Sequence, residues 1–586
     1  MKVRARISPR MKARGSHHIF QGCLACGLMI PAALAWAQTP GQATQDPLRQ
    51  QQELLRQQER ERALREQQEA RPDVRLDRET QAQSARLPTD EAPCFLIQRI
   101  VLEGEHADDF DWALAAADTA EDPATGRCLG TTGINLVMTR VQNAIVAKGY
   151  VTTRVLAAPQ DLKQGVLTLT VVPGRIRAVR FADGVDARAA LWNAVPARTG
   201  DLLNLRDIEQ ALENLQRVPT VAADIQIVPS EGADAAPGQS DLVVSWQQPR
   251  RVRASLSLDD TGSQATGKLQ AGATLSVDSP LGWNDLFYIN YGHSVFNGGA
   301  KGTSNWTAHY DVPVDYWLLG ATASEYDYRQ TVVGPFERYV YSGSSRNAEL
   351  RASRVLFRNA KAKVGAYGRG WWRESDNFID DAEIEVQRRR MAGWEVGFTH
   401  KQFMGAATLE ASVAYRRGTG AFDALPAPEE LFDEGTSRFK LVTADAQLTV
   451  PFQLGAQRLQ YTGAWRAQWN RTPLVPQDRF AIGGRYSVRG FDGEISLTGE
   501  RGWLLRNEVS LSLGGGQSVY AGVDYGHVAG PSTALQLGDH LAGMAIGLRG
   551  GWRGLAWEGF VGAPLYRPKG FPAAYTTLGF GLNWSF

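Results

Sequence analysis

The last twelve residues, YTTLGFGLNWSF (Tyr575 to Phe586), alternate without a break. Leu578, Phe580, Leu582, Trp584 and Phe586 take one side, and Gly579, Gly581, Asn583 and Ser585 take the other. Side chains of a β-strand point to opposite faces in turn, so this stretch is a strand with one wholly apolar face and one small or polar face. Working back from it to Arg250, helical periodicity is absent and segments of about ten residues repeat the same alternation. Sixteen such strands are expected, starting near residues 251, 268, 286, 304, 316, 343, 360, 386, 404, 437, 456, 502, 518, 542, 555 and 575. Their connections alternate in length: those after odd strands are long (Thr472 to Arg501 the longest), and those after even strands are mostly tight. A sandwich of this size would bring many short connections of similar length, so the pattern favours a closed antiparallel barrel over residues 248–586.

An apolar outside and a polar inside place such a barrel in a membrane, and an even strand number with long outer loops and short inner turns is the outer-membrane arrangement. It puts both the chain before residue 248 and the C-terminus on the periplasmic side. Composition agrees. The 586 residues carry 63 basic and 62 acidic groups, 43% apolar content and a mean hydropathy of −0.29. After the N-terminal region no apolar run reaches the roughly 18 residues a membrane-spanning helix needs. Residues 1–37 hold six cations and no acid, then an apolar stretch from Cys23 to Trp36, ending in Ala35-Trp36-Ala37. That is the grammar of a secretory signal cut after Ala37. Losing it leaves a net charge of about −5, which argues against nucleic acid as a partner. It also leaves Cys94 and Cys128, and two cysteines in an oxidising compartment are expected to pair.

Between leader and barrel lie three further regions. Residues 46–71, DPLRQQQELLRQQERERALREQQEAR, open with Asp46 and Pro47 at helix-start positions and continue in strong helix formers, with too few apolar residues for a core-facing stripe. A helix that is solvated or seated in a polar cavity follows. Residues 72–93 read as a linker. Residues 94–247 hold two successive units of about 75 residues, each ordered strand, helix, helix, strand, strand. In the first unit a strand from Phe95 to Leu102 precedes a short helix from Phe110 to Ala117. Ile134, Val137, Met138, Val141, Ile145 and Val146 mark the second helix face. In the second unit a helix from Ala187 to Ala194 precedes a face of Leu205, Ile208, Leu212 and Leu215. Such units present sheet edges and grooves to extended polypeptide, and a cargo groove is expected where that face meets the strand carrying Ile225 and Ile227.

The long loop Thr472 to Arg501 contains FAIGGRYSVRGFDG (Phe480 to Gly493), and Val488-Arg489-Gly490-Phe491 resembles the VRG(F/Y) signature of two-partner secretion transporters, the TpsB branch of the outer-membrane barrel superfamily. The C-terminal aromatic strand is similar to the insertion signal of such barrels, with Phe580, Leu582, Trp584 and Phe586 as its apolar members. Val172-Pro173-Gly174-Arg175-Ile176 at the junction of the two units resembles the same family, and the cysteine pair and LNLRDIEQALENLQRVP (Leu203 to Pro219) resemble its haemolysin and contact-dependent-inhibition subgroup. The resemblance covers nearly the whole mature chain. It implies a plug helix (46–71), two POTRA domains (94–174 and 175–247) and a sixteen-stranded barrel with loop 472–501 folded into its lumen. It also implies an inner-wall acid, and VYAGVDYG (Val519 to Gly526) matches with Asp524, whose inward direction follows from alternation alone. Arg489 is therefore expected to pair with Asp524. The implied activity is secretion, without ATP, of a large exoprotein bearing an N-terminal secretion domain, a haemolysin, adhesin or contact-dependent toxin. The implied setting is outer-membrane lipid, with barrel-assembly machinery acting during biogenesis.

Competing readings are weaker. A general barrel-assembly factor would carry more POTRA units and no plug helix. A barrel-embedded hydrolase would need His293-Ser294 or His309 to converge with a nucleophile, and neighbours on a strand face opposite ways. Gly547, Gly550, Gly551 and Gly554 lack the strand-to-helix context of a nucleotide loop, so no enzyme activity, cofactor or metal is expected.

Overall fold

The computed structural model describes residues 46–69, 72–76, 86–185, 188–231, 233, 235–297, 301–333 and 336–586, with side chains from Gln52 onward. The expected signal segment lies outside the described residues, as do residues 77–85 of the expected linker. The barrel is closed and antiparallel, with sixteen strands from Val252–Asp259 to Thr577–Ser585. The last strand joins the first through the register Gly581↔Asp259 to Ser585↔Ser255. Every strand begins within about five residues of its sequence-based start, because period-two patterning writes lumen and lipid alternately into each strand. Leu256, Ile289, Leu350, Val396, Phe398, Val523, Ile546, Leu582 and Trp584 are among the exposed outward-facing residues.

Two small domains precede the barrel. In the first, strands Arg99–Glu103, Val166–Val172 and Arg154–Leu156 form one sheet, backed by α2 (Thr131–Ala147), the next α-helix after α1 (Asp46–Gln68). Val137, Val141 and Ile145 of α2 are fully buried beside Ile97, Leu129, Leu167 and Leu169. Two details differ from the sequence expectation. The first strand is interrupted at Gln98, giving Phe95–Ile97 and Arg99–Glu103, because the first piece pairs with Arg127–Leu129 rather than with the main sheet. The short helix is a 3-10 helix, Ala107–Ala116. Cys94 and Cys128 are disulfide-bonded with Cα atoms 5.2 Å apart.

In the second domain, strands Arg175–Phe181, Gln239–Gln247 and Ala222–Pro229 form the sheet in that order, with α3 (Leu191–Ala194) and α4 (Leu205–Leu215) against it. α3 is shorter than expected; Ala190 before it is extended. Asn204 caps α4, its side chain accepting a hydrogen bond from Arg206 N at 2.9 Å.

This second domain is docked on the short barrel turns. Asp315, in the turn between strands Gly302–Val314 and Trp317–Val333, donates its backbone N–H to Asn193 O at 2.7 Å, and its carbonyl accepts from Asn214 Nδ2 at 2.7 Å. Asn193 Nδ2 also donates to Pro313 O at 2.9 Å and Trp283 O at 2.6 Å. The short turns and the small domains therefore share one side of the barrel, the geometry that alternating loop lengths imply for the periplasmic face.

Candidate functional site

The lumen is filled by two elements. The first is α1 (Asp46–Gln68). Its polar side chains meet inward-facing wall residues: Glu53 accepts from Tyr326 Oη at 3.0 Å, Glu59 from Arg466 at 2.6 Å, and Glu349 from Arg65 at 3.3 Å. Gln68 accepts from Ser276 Oγ at 2.9 Å. Two of its few apolar residues find aromatic seats. Leu54 packs with Tyr326, Tyr328 and Tyr341, and Leu64 against Val218, Leu286 and Tyr288. A tyrosine offers an apolar ring with a polar tip, which suits a helix that is mostly charged. The chemistry that bars this helix from an ordinary core is what a polar lumen accommodates.

The second element is the long loop. It leaves the wall with Asp478 hydrogen-bonded to Arg373 at 3.0 Å and crosses the lumen as a short ribbon, Phe480–Ile482 paired with Leu497–Gly499. Phe480, Ile482, Val488, Phe491 and Leu497 form an apolar cluster with Leu504, Val528 and Leu541 of the wall and Phe571. A loop with its own apolar underside holds a defined position, unlike an outer loop that is only solvated.

At the loop tip Arg489 grips Asp524. Nε donates to Oδ2 at 2.7 Å and Nη2 to Oδ1 at 2.8 Å, a two-pronged contact, and the Arg489 backbone N–H adds a third bond to Oδ2 at 3.0 Å. Arg489 is 5% exposed and Asp524 1%. Two partners were not legible in the sequence. Glu508, on the neighbouring strand, accepts from Arg489 Nη1 at 2.6 Å and is itself paired with Arg549 at 2.8 Å. Asn507 O accepts from Nη2 at 3.2 Å. Alternation marks several inward acids, but it does not say which of them share one guanidinium.

Backbone makes the approach close enough. Gly543 lies so near the loop that a Cβ there would sit 1.8 Å from Arg489 O, and a Cβ on Gly522 would sit 2.3 Å from Arg489 Nη2. Gly490 has φ +94°, in the left-handed region that favours glycine. The glycines of VYAGVDYG are thus a notch in the wall for the loop tip.

A second loop arginine, also missed from sequence, reaches the place where the barrel closes. Arg485 donates to Glu558 at 2.9 Å, to Asp260 at 3.2 Å and to Phe580 O at 2.9 Å. Asp260 in turn accepts from Phe580 N at 3.0 Å. These contacts sit just above the register that joins first and last strands. Of the C-terminal residues, Leu582, Trp584 and Phe586 face outward and exposed, while Phe580 is half-buried.

The six residues expected to line a cargo groove, Leu205, Ile208, Leu212, Leu215, Ile225 and Ile227, lie in the core of the second small domain, each 7% exposed or less. They shape its surface from beneath instead of presenting it, because amphipathic faces on a helix and a strand that share one sheet pack on each other first. Above them, Glu209 and Glu213 of α4 hold Arg358 of the barrel, at 3.3 Å and 3.1 Å. Burial raises the Glu209 carboxyl above its ordinary range, against the lowering pull of Arg206 and Arg358.

The residues considered for hydrolysis do not converge on one another. His293 and Ser294 face opposite sides of their strand, and Ser294 Oγ accepts from Thr303 N at 2.7 Å. His309 is held between Thr322 and Asp311 at 2.8 Å and 2.9 Å. Between α1, the loop and the wall remains a cavity of about 1390 Å³, lined among others by Arg62, Glu66, Arg351, Arg369 and Arg506.

Comparison with known proteins places this geometry. Residues 238–550 match the family described as haemolysin secretion/activation protein ShlB/FhaC/HecB. Residues 95–174 match the ShlB-type POTRA domain and 175–229 a POTRA domain. The chain is 36% identical over 519 residues, 85% of its length and 88% of the relative's, to outer membrane transporter CdiB-2 of Burkholderia pseudomallei strain 1026b. It is 25% identical to the hemolysin transporter protein ShlB of Serratia marcescens, over 69% of this chain and 71% of that one. The solved structure of CdiB from Acinetobacter baumannii superposes with a TM-score of 0.81 at 31% identity, covering 94% of this chain and all of that one.

Proposed function

Because the chain belongs to the haemolysin secretion/activation family of ShlB, FhaC and HecB, we propose that it is an outer-membrane transporter that carries one large partner exoprotein, extended, from periplasm to cell surface. The observation that carries this reading is the content of the lumen. A barrel built as a static pore needs only its wall, whereas this one holds α1 largely by polar contacts that water or a passing chain can replace, beside a loop fixed by its apolar cluster and by Arg489. With α1 displaced, the lumen becomes a polar path. Secretion needs no nucleotide, since folding of the exoprotein outside supplies the direction. The stronger likeness to contact-dependent-inhibition transporters favours a toxin of that kind as cargo over a haemolysin or adhesin. The POTRA pair acts as the periplasmic entrance, the bilayer contacts the outward apolar band, and barrel-assembly machinery reads the C-terminal strand during biogenesis. Deleting residues 94–247 should abolish release of the exoprotein into the medium while a folded barrel still reaches the outer membrane. Undiminished secretion by that truncation would refute the entrance role.

A further inference from the structure

Residues 72–76 follow α1 closely and lie on the second POTRA domain, engaged at nearly every position. Val74 N–H donates to Glu213 Oε1 at 3.4 Å and Leu76 N–H to Glu209 Oε1 at 2.9 Å, while Val74 O accepts from Arg358 Nη2 at 3.2 Å. The Val74 and Leu76 side chains, 7% and 4% exposed, belong to the same apolar cluster as Leu205, Ile208 and Leu212. Arg75 points away from them, its guanidinium 4.3 Å from the centre of the Phe403 ring, and Asp73 pairs with Lys401. Alternate residues facing opposite ways describe an extended segment. The bonds that hold it run from main-chain N–H groups to side-chain carboxylates on a helix. They read an extended backbone with an apolar residue at every second position, and Phe403 and Lys401 of the barrel contact the charged residues between.

We propose that this seat on α4 is the docking site for an extended segment of the exoprotein, and that the transporter's own Val74-Arg75-Leu76 fills it at rest, so that cargo and linker exclude each other. The inference rests on the secretion reading above and names the surface at which that reading begins. It differs from strand addition at a sheet edge, because the acceptors are Glu209 and Glu213 of a helix. An empty seat would expose the apolar surface that Val74 and Leu76 cover, while Glu209 and Glu213 keep their arginine and lysine partners, so the apolar contact is what favours an occupant. The arrangement also couples entrance to plug. Only three residues separate Glu69, beside His309 on the wall at 3.6 Å, from Asp73, and the four residue steps between them span roughly 14 Å at most. Freeing residues 73–76 therefore removes one restraint on the periplasmic end of α1, leaving its contacts with Ser276, His309 and Glu349, and a cargo segment that takes the seat loosens the plug in the same event.

The test uses the full chain in lipid nanodiscs and a fluorescent peptide of residues 72–76, PDVRL, followed by anisotropy. Wild type, its seat already filled, should bind the peptide at least tenfold more weakly than the Val74→Ser, Leu76→Ser variant. Adding Glu209→Gln and Glu213→Gln to that variant should remove the gain. A measurement independent of any variant's folding is conductance of wild type in planar bilayers, where excess PDVRL should raise the frequency of open events and a scrambled peptide should not. Equal peptide binding by wild type and the linker variant, a gain that survives the glutamine substitutions, or no effect on wild-type conductance overturns the inference. Secretion by wild-type cells is scored alongside: its absence overturns the transport reading, and its presence beside negative peptide results overturns the docking seat alone.

Discussion

Arg489 carries three bonds to one carboxylate and a fourth to Glu508, all on two neighbouring wall strands. Burying such charges has a desolvation penalty that offsets most of their attraction, so the cluster is better understood as fixing the loop's position than as adding stability. Lysine would offer a single point charge where the guanidinium fork meets two oxygens. Arg489→Ala and Asp524→Ala should each lower secreted exoprotein by roughly tenfold or more, with the barrel still inserted and heat-resistant, and the double variant should be little worse than either single. Immunoblots of culture medium and of heat-treated outer membranes read both quantities. Effects that multiply in the double variant would mean that the two residues do not act through one contact. The direction of Asp524 was legible, since alternation alone turns it inward. Glu508 and Arg485 were not, because the choice of partner depends on where the loop crosses, and period-two patterning carries no information about that.

At the scale of elements, the strands were the most legible part of the chain, and the linker the least. A barrel strand repeats its environment every second residue, so its pattern survives small errors in boundary. Residues 72–76 are too short for any periodicity, and their apolar pair Val74 and Leu76 is meaningful only once α4 is seen beneath it. The helix α1 was legible as a helix from its composition, while its seat was legible only by elimination. Removal of residues 46–71 should raise single-channel conductance in planar bilayers; conductance equal to wild type would mean that the helix does not obstruct the lumen. In the first POTRA domain, the Cys94–Cys128 bond ties the strand pair Phe95–Ile97 and Arg127–Leu129, closing a sequence separation of 34 residues. A closure of that length stabilises by about 3 to 4 kcal/mol in the chain-entropy account. Reduction should lower that domain's melting temperature without preventing barrel insertion, as read by calorimetry and membrane fractionation. Two free thiols found by mass spectrometry in protein from native outer membranes would rule the bond out.

For the whole molecule, the POTRA pair, the linker, α1 and the loop form one chain of contacts from the periplasmic entrance to the inner wall beside the closing strands. Asp315 and Arg358 hold the second POTRA domain to the barrel, the linker lies on that domain, and α1 reaches the loop, where Arg56 bonds the carbonyl of Gly493. If the exoprotein passes through the space α1 occupies, tethering α1 to the wall must stop it. Gln68 and Ser276 lie side by side, their polar atoms 2.9 Å apart, one on the helix and one on an inward strand face. Gln68→Cys and Ser276→Cys, joined in cells by a short bis-thiol reagent, should reduce secretion to the level of cells lacking the transporter, while each single-cysteine variant treated identically secretes normally. Undiminished secretion with the helix quantitatively cross-linked would contradict the account.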